Sequence, residues 1–231
     1  MVSAGSSGPR HPRLSRAMSR LLSALRRHGP VPTARIAAVR LRAFAHRKRT
    51  LLFYRAPIAS VLRLPPRLDD GWTFTLDNLS WDEARAFGDA PSDVLSLLGS
   101  YLSVEIPGQR LLLAKINGEV AGWCIVFVGA YDWPLTETDT TLQLGETDAV
   151  FISAQTLPRF RGRHINRALM GETSRVAESL GATTLVAWHE DWNEAPRRNM
   201  LHVGMRFVGT HERTWVCGVR LPARIAIVSD A

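Results

Sequence analysis

Acidic residues are missing from the first 68 positions of this chain: no Asp or Glu precedes Asp69. Cysteine is scarce too, with only Cys124 and Cys217 in 231 residues. That excludes a disulfide scaffold, and no Cys-x-x-Cys pair suggests zinc. Both cysteines lie in apolar, strand-like runs, so two reduced, buried thiols in a reducing, cytoplasmic setting are expected. No apolar run approaches the roughly 20 residues that a membrane-spanning helix needs. What is present is an ordinary globular composition, 45% hydrophobic and 22% charged, enough for one sizeable domain or two small ones.

The net charge of +8 is unevenly divided. Residues 1–68 carry 15 Lys/Arg, whereas the remainder holds 14 Lys/Arg against 21 Asp/Glu. A segment of one sign repels itself and stays open unless something anionic binds it. Residues 1–68 therefore read as a basic, partly helical N-terminal extension, disordered over 1–12. Residues 69–221 read as a mildly acidic body and 222–231 as a tail. Within the arm, Leu14, Met18, Leu21, Leu22 and Leu25 follow helical spacing among arginines, and His28-Gly29-Pro30 stops that helix. Three readings stay open for residues 13–49: binding to an anionic membrane surface, binding to nucleic-acid phosphates, or a transit peptide. A solvated extension docked on the body is the plainer alternative. The membrane ranks above nucleic acid, because phosphate binding does not require leucines at helical spacing.

The body is regular from about residue 71. Trp72–Asn78 alternates as a half-buried strand, and Ser80 with Glu83 forms a capping box that opens a helix. A second helix is expected from Pro91 through Tyr101. Gln109–Ile116 and Val120–Val128 flank Asn117-Gly118, a strong hairpin signal. Residues 131–147 read as a loop or an excursion over a site. Ala149–Gln155 is a strand, Ile165–Leu180 a helix ended by Gly181, Thr183–Trp188 a strand and Glu194–Val203 a short helix. Met205–His211 and Thr214–Val219 make a final pair. This order predicts an α/β fold, a mixed and largely antiparallel sheet flanked by helices.

The chemically informative stretch is Leu157-Pro158-Arg159-Phe160-Arg161-Gly162-Arg163-His164-Ile165-Asn166-Arg167. It runs from a strand through a Gly- and Arg-bearing loop into a helix, where free N–H groups favour a phosphate or diphosphate. A loop of solvated arginines is the competing reading. One strand later comes Asn193-Glu194-Ala195-Pro196-Arg197-Arg198-Asn199-Met200-Leu201-His202-Val203-Gly204-Met205.

Together these segments resemble the GCN5-related N-acetyltransferase (GNAT) superfamily. Arg161, Gly162, Arg163 and Ile165 match its coenzyme-A diphosphate loop, with His164 and Asn166 in slots usually held by small residues. Asn193, Ala195, Arg198 and Gly204 match its later motif, and Lys115–Trp123 is similar to its central hairpin. The resemblance implies an acyl-CoA-dependent N-acyltransferase that moves acetyl from acetyl-CoA to a primary amine on a small molecule, with no metal. It further implies that Gln155, Thr156 and Leu157 splay from the next strand to pair with pantetheine, the Leu157 amide polarising the thioester. Residues 161–166 would hold the diphosphate, with Asn193 on the pantetheine and Arg198 on a phosphate.

Two departures narrow the acid/base assignment. A Tyr that many members place four residues before the motif's Gly is Met200 here, and strand 149–155 carries no carboxylate. His189, Glu190 and Asp191, just past the fifth strand, are the best base candidates by placement, followed by Tyr131 and Asp132. Trp133 and Trp192, in loops flanking the expected cleft, would enclose a sugar or an aromatic amine, or simply cover the core. Two rivals remain: a non-catalytic coenzyme-binding module, and a polyanion- or membrane-binding protein acting through its arm.

Overall fold

The computed structural model describes residues 45–86, 106 and 108–228. The helix read in the arm and the helix read over 91–101 lie outside the described residues. Contacts divide the chain into two units, Met1–Lys48 with Thr214–Leu221, and Arg49–Arg213 with Pro222–Ala231. Its strands are β1 (His46–Pro57), β2 (Phe74–Ser80), β3 (Arg110–Ile116), β4 (Glu119–Val128), β5 (Tyr131–Leu135), β6 (Thr140–Leu144), β7 (Asp148–Thr156), β8 (Thr184–Glu190), β9 (Arg206–Val216), β10 (Val219–Arg220) and β11 (Arg224–Ile227). Its described helices are α1 (Trp81–Ala86), α2 (Ile165–Ser179) and α3 (Glu194–His202).

In the smaller unit, β10 pairs with the end of β9 at Trp215 and Val216. The Cys217 amide donates to the Ala45 carbonyl at 3.0 Å, and the Arg47 guanidinium lies 4.9 Å from the Trp215 ring centre. Cys217 is exposed, contrary to the expected burial. Its φ of +49° turns the chain between β9 and β10. Cys124 is buried as expected, and loss of solvent pushes its thiol up to about 12.

The larger unit is built on a sheet in the order β9-β1-β8-β7-β4-β3-β2, with β11 also on β9. β2–β3, β3–β4, β4–β7, β1–β8 and β11–β9 pair antiparallel, and β7–β8 parallel. The expected mixed, largely antiparallel sheet flanked by helices is therefore the fold observed. Ser80 and Glu83 make both capping-box bonds at the start of α1. The Asn117-Gly118 hairpin forms with both residues at positive φ.

Three boundaries differ from the sequence reading. Arg49–Pro57 belongs to the sheet, with β1 lying between β8 and β9. The arm therefore does not extend to residue 68. Arginines flanking Leu51-Leu52-Phe53-Tyr54 hid a strand whose apolar residues are largely buried. Within residues 131–147, read as a loop or an excursion over a site, Tyr131–Leu135 and Thr140–Leu144 pair as the β5–β6 hairpin. The final pair is one long β9, and the supposed tail supplies β11.

Strand alternation assigns each side chain a face. On β8, Leu185 and Ala187 join the core under α2, with Leu169 and Met170. Val186 and Trp188 turn to the other face and pack with Trp133 and Leu142 of the β5–β6 hairpin. His211 of β9 packs against Phe53 with the ring centres 4.5 Å apart and the planes tilted, and its Nδ1 meets the Thr140 hydroxyl at 3.2 Å. Burial pulls the His211 pKa below its usual 6.5. The unfolded chain then binds the proton more tightly, so this stabilisation is present above 6.5 and is lost as pH falls below it. Denaturation at about pH 7.5 and about pH 5.5 should show a loss of stability at the lower pH that His211→Leu reduces.

Candidate functional site

The site arises where two strands part. β7 and β8 are bonded only from Asp148–Val150 to Thr184–Val186, and beyond that β8 stays on β1 while β7 stays on β4. β7 bulges at the parting: Ser153 and Ala154 together oppose Cys124, and Ser153 has φ +53°. A bulge bends its strand and leaves backbone groups without ladder partners.

A cavity opens on each side of the gap. On the helix side, about 240 Å³ is lined by Phe151–Gln155, Asn166, Met170, Asn193, Pro196 and Met200. On the hairpin side, about 390 Å³ is lined by Leu51, Ile106, Gln109, Ile125 and Trp133–Glu137. Ile152, Ser153, Trp188, His189 and Glu190 line both. The gap is thus a slot whose five shared residues border a chamber on each side.

The Gly/Arg loop lies next to the helix-side cavity, which reaches Asn166. Gly162 has φ +79° with open space where a Cβ would lie, and His164 has φ +60° just before α2. His is among the non-glycine residues that tolerate this region, so it can occupy a slot the family pattern gives to small residues. Among the described residues, the amides from Gly162 to Asn166 donate to no backbone carbonyl. The first turn of a helix leaves its N–H groups without intrahelical partners. These are donors of the kind an anion needs. The His164 ring does not line the cleft, and burial together with Arg167, Arg67 and His202 holds its pKa down.

The side chains are divided among different tasks. Arg161 and Arg198 are exposed, and Arg198 lines neither cavity. The Arg163 guanidinium pairs with Asp69 at 2.8 Å and lies over the Trp72 ring at 4.1 Å. It is therefore committed away from the loop, and the backbone rather than this arginine is what the loop offers. Asn166 accepts from Asn199 at 3.1 Å, joining α2 to α3. Gln155 and Asn193 line the helix-side cavity, and Thr156 pairs opposite Gly122.

One expected role is overturned. The Leu157 amide donates to the Ala121 carbonyl at 2.9 Å, so it cannot polarise a thioester. Alternate amides of a strand point to opposite edges, which turns the Thr156 amide to the open edge. The irregular backbone at Ser153 and Ala154 lies closer to the slot, and the positive φ there could not be read from a run of ordinary strand residues.

Of the base candidates, the slot brings together His189 and Glu190 but not Tyr131 and Asp132. Tyr131 packs edge-on against Phe127 and Trp133, and Asp132 is exposed on the hairpin. Glu190 forms an ion pair with Arg49. His189 is 6% exposed, and its Nδ1 lies 2.7 Å from the Glu190 carbonyl. A carbonyl only accepts, so Nδ1 is the nitrogen that donates here, and in the neutral ring the lone pair is at Nε2. Nε2 lies 3.4 Å from the Tyr54 hydroxyl, and the two rings stack at 5.4 Å. Tyr54 was hidden because its strand read as part of the arm. Burial raises its pKa against the opposing pull of Arg197, keeping the hydroxyl protonated. Trp188 lines the slot, while Trp192 is 68% exposed.

Among the described residues, no group of three His, Cys, Asp or Glu could hold a metal, and no helix is long and apolar enough to cross a membrane. No family model matches the sequence, and no curated protein does. Solved structures do resemble it in fold. A GCN5-related N-acetyltransferase from Kribbella flavida is 14% identical at a TM-score of 0.46, over 77% of this chain and 62% of that one. One from Sphaerobacter thermophilus is 20% identical at 0.44, over 80% and 58%. The aminoglycoside N-acetyltransferase AAC(6')-Iy, solved with CoA, is 11% identical at 0.41, over 57% and 91%. This chain therefore spans about three fifths of the first two. The reading below rests on the chain's own strands, loop and cavities.

Proposed function

We propose that this chain is an acyl-CoA-dependent N-acyltransferase, transferring acetyl from acetyl-CoA to a primary amine. The observation that carries this reading is the slot between β7 and β8, with the free amides of Gly162–Asn166 beside one of its two chambers. The diphosphate of the coenzyme takes those amides, and its pantetheine arm lies along the open edge of β7 beside Gln155 and Asn193. The thioester then reaches Ser153, and the amine waits in the hairpin-side chamber.

The amine nitrogen attacks the thioester carbonyl carbon, forming the C–N bond. The carbonyl oxygen takes negative charge, which the backbone amides of the β7 bulge stabilise. The C–S bond then breaks, and coenzyme A leaves as thiolate. A thiol's ordinary pKa is low enough for this departure without a dedicated acid, consistent with Met200 in place of tyrosine. His189 takes the ammonium proton at Nε2, directly or through one water. Tyr54 positions that ring.

Acetyl-CoA with a panel of primary amines should release free thiol only when both substrates are present. Coenzyme A alone should raise the melting temperature as ligand binding requires. No shift at millimolar coenzyme would defeat the proposal.

A further inference from the structure

A third cavity, of about 590 Å³, shares no lining residue with the two chambers of the slot. Its size falls in the range of about 300–1,000 Å³ usual for small-molecule sites. The sheet explains why the space is there. Residues directly opposite in an antiparallel ladder share a face. Phe53 and Arg55 of β1 therefore stand beside Trp188 and Val186 of β8, and Ile225 and Ile227 of β11 beside His211 and Gly209 of β9. The contact of Phe53 with His211 joins these rows on one face. Gly209 brings no side chain to its row, which leaves room over the sheet between Arg55 and Ile227. A Cβ at Gly209 would overlap the Ala226 carbonyl oxygen, so the close approach of β11 requires glycine there. The Thr141–Gln143 segment of β6 closes one side.

The lining is apolar with a cation at one place. Phe53, Leu142, Val186, Val208 and Ile225 supply the walls. Among the described lining residues the titratable ones are Arg55 and His211, and none is acidic. Arg55 donates one N–H to Asp148 at 2.8 Å and keeps 44% of its side chain exposed. A guanidinium carries five N–H donors, so others remain for a ligand. Asp148 itself is engaged by both Arg55 and the Gly145 amide. Ile225, Ile227 and Val228 are all exposed although they border the cavity. Apolar surface gathered at the rim of a cavity marks a place where something binds.

We propose that this cavity binds an amphiphilic carboxylate of the fatty-acid type. The carboxylate takes the free N–H groups of Arg55, and the chain lies over Gly209 along Ile225 and Ile227. A guanidinium–carboxylate pair is among the strong hydrogen bonds, and each methylene laid on the apolar wall adds affinity. This site stands apart from the acyltransferase reading and does not depend on it.

The test is calorimetric titration of decanoate, octanoate and decyltrimethylammonium into the full chain. Decanoate should bind about tenfold tighter than octanoate, the worth of two buried methylenes. It should bind at least about tenfold tighter than decyltrimethylammonium, which has the same chain and the opposite charge. Arg55→Gln should weaken decanoate about tenfold and abolish that preference, while Arg55→Lys, which keeps the cation, should weaken it less. Ile225→Gln, at an exposed position, should weaken decanoate without touching the Arg55–Asp148 pair, and it keeps the test decisive should Arg55→Gln not fold. Saturating coenzyme A should leave decanoate affinity unchanged. Failure of decanoate to bind, equal binding of decyltrimethylammonium, or full affinity in the Arg55→Gln and Ile225→Gln variants would overturn the proposal. Displacement of decanoate by coenzyme A would also overturn it, by placing the chain in the slot.

Discussion

Gly122→Ala is expected to lower folding stability by about 1–3 kcal/mol and to weaken coenzyme binding. Gly122 lies on β4 opposite Thr156, at the open end of the slot. A Cβ there would fall 2.5 Å from the Gln155 carbonyl oxygen, 3.2 Å from Ile165 Cγ2 and 3.4 Å from the Thr156 Cα. Two of these atoms are backbone, so no rotamer change relieves the overlap; β7 must move away from β4. That displaces Gln155 and Thr156 on one side and presses on Ile165, the first residue of α2, on the other. Urea denaturation would read the stability and calorimetry the coenzyme affinity. Wild-type values for both would mean that β4 does not support the slot.

His189→Ala should lower kcat by about 10²–10⁴, the range over which a positioned base contributes. Coenzyme affinity should stay close to wild type, because the diphosphate donors are on the loop before α2. The imidazole is fixed on both sides: Nδ1 donates to the Glu190 carbonyl and Nε2 faces the Tyr54 hydroxyl. Tyr54→Phe keeps the stacked ring and removes only the hydroxyl, so it should lower kcat less and leave the amine KM unchanged. Steady-state thiol release gives both constants. A His189→Ala enzyme with full kcat would move the base elsewhere, with Glu137 the next group in the chamber.

The elements legible in the sequence were those with local punctuation. Ser80 and Glu83 mark a helix start, Asn117-Gly118 a hairpin, and Gly162 the turn into α2, because each needs a particular backbone geometry or hydrogen bond. β1 was not legible. Arginines on either side of Leu51–Tyr54 made it look continuous with the basic segment, and only tertiary pairing with β8 shows it to be central. The site was legible to the same degree. The loop and His189 stood out by residue type and position, while Tyr54, Glu137 and Gln109 come from distant segments that only the fold brings to the slot. The bulge at Ser153 has no residue-type signal, so the oxyanion role was placed at Leu157, whose amide the structure shows already bonded to Ala121.

The most direct test is a crystal structure of the chain with acetyl-CoA. The account predicts the diphosphate within hydrogen-bonding distance of the Gly162–Asn166 amides, the pantetheine between β7 and β8, and the thioester carbon beside Ser153 and His189. Coenzyme bound elsewhere on the molecule, or a chain that keeps the slot closed at saturating coenzyme, would contradict it.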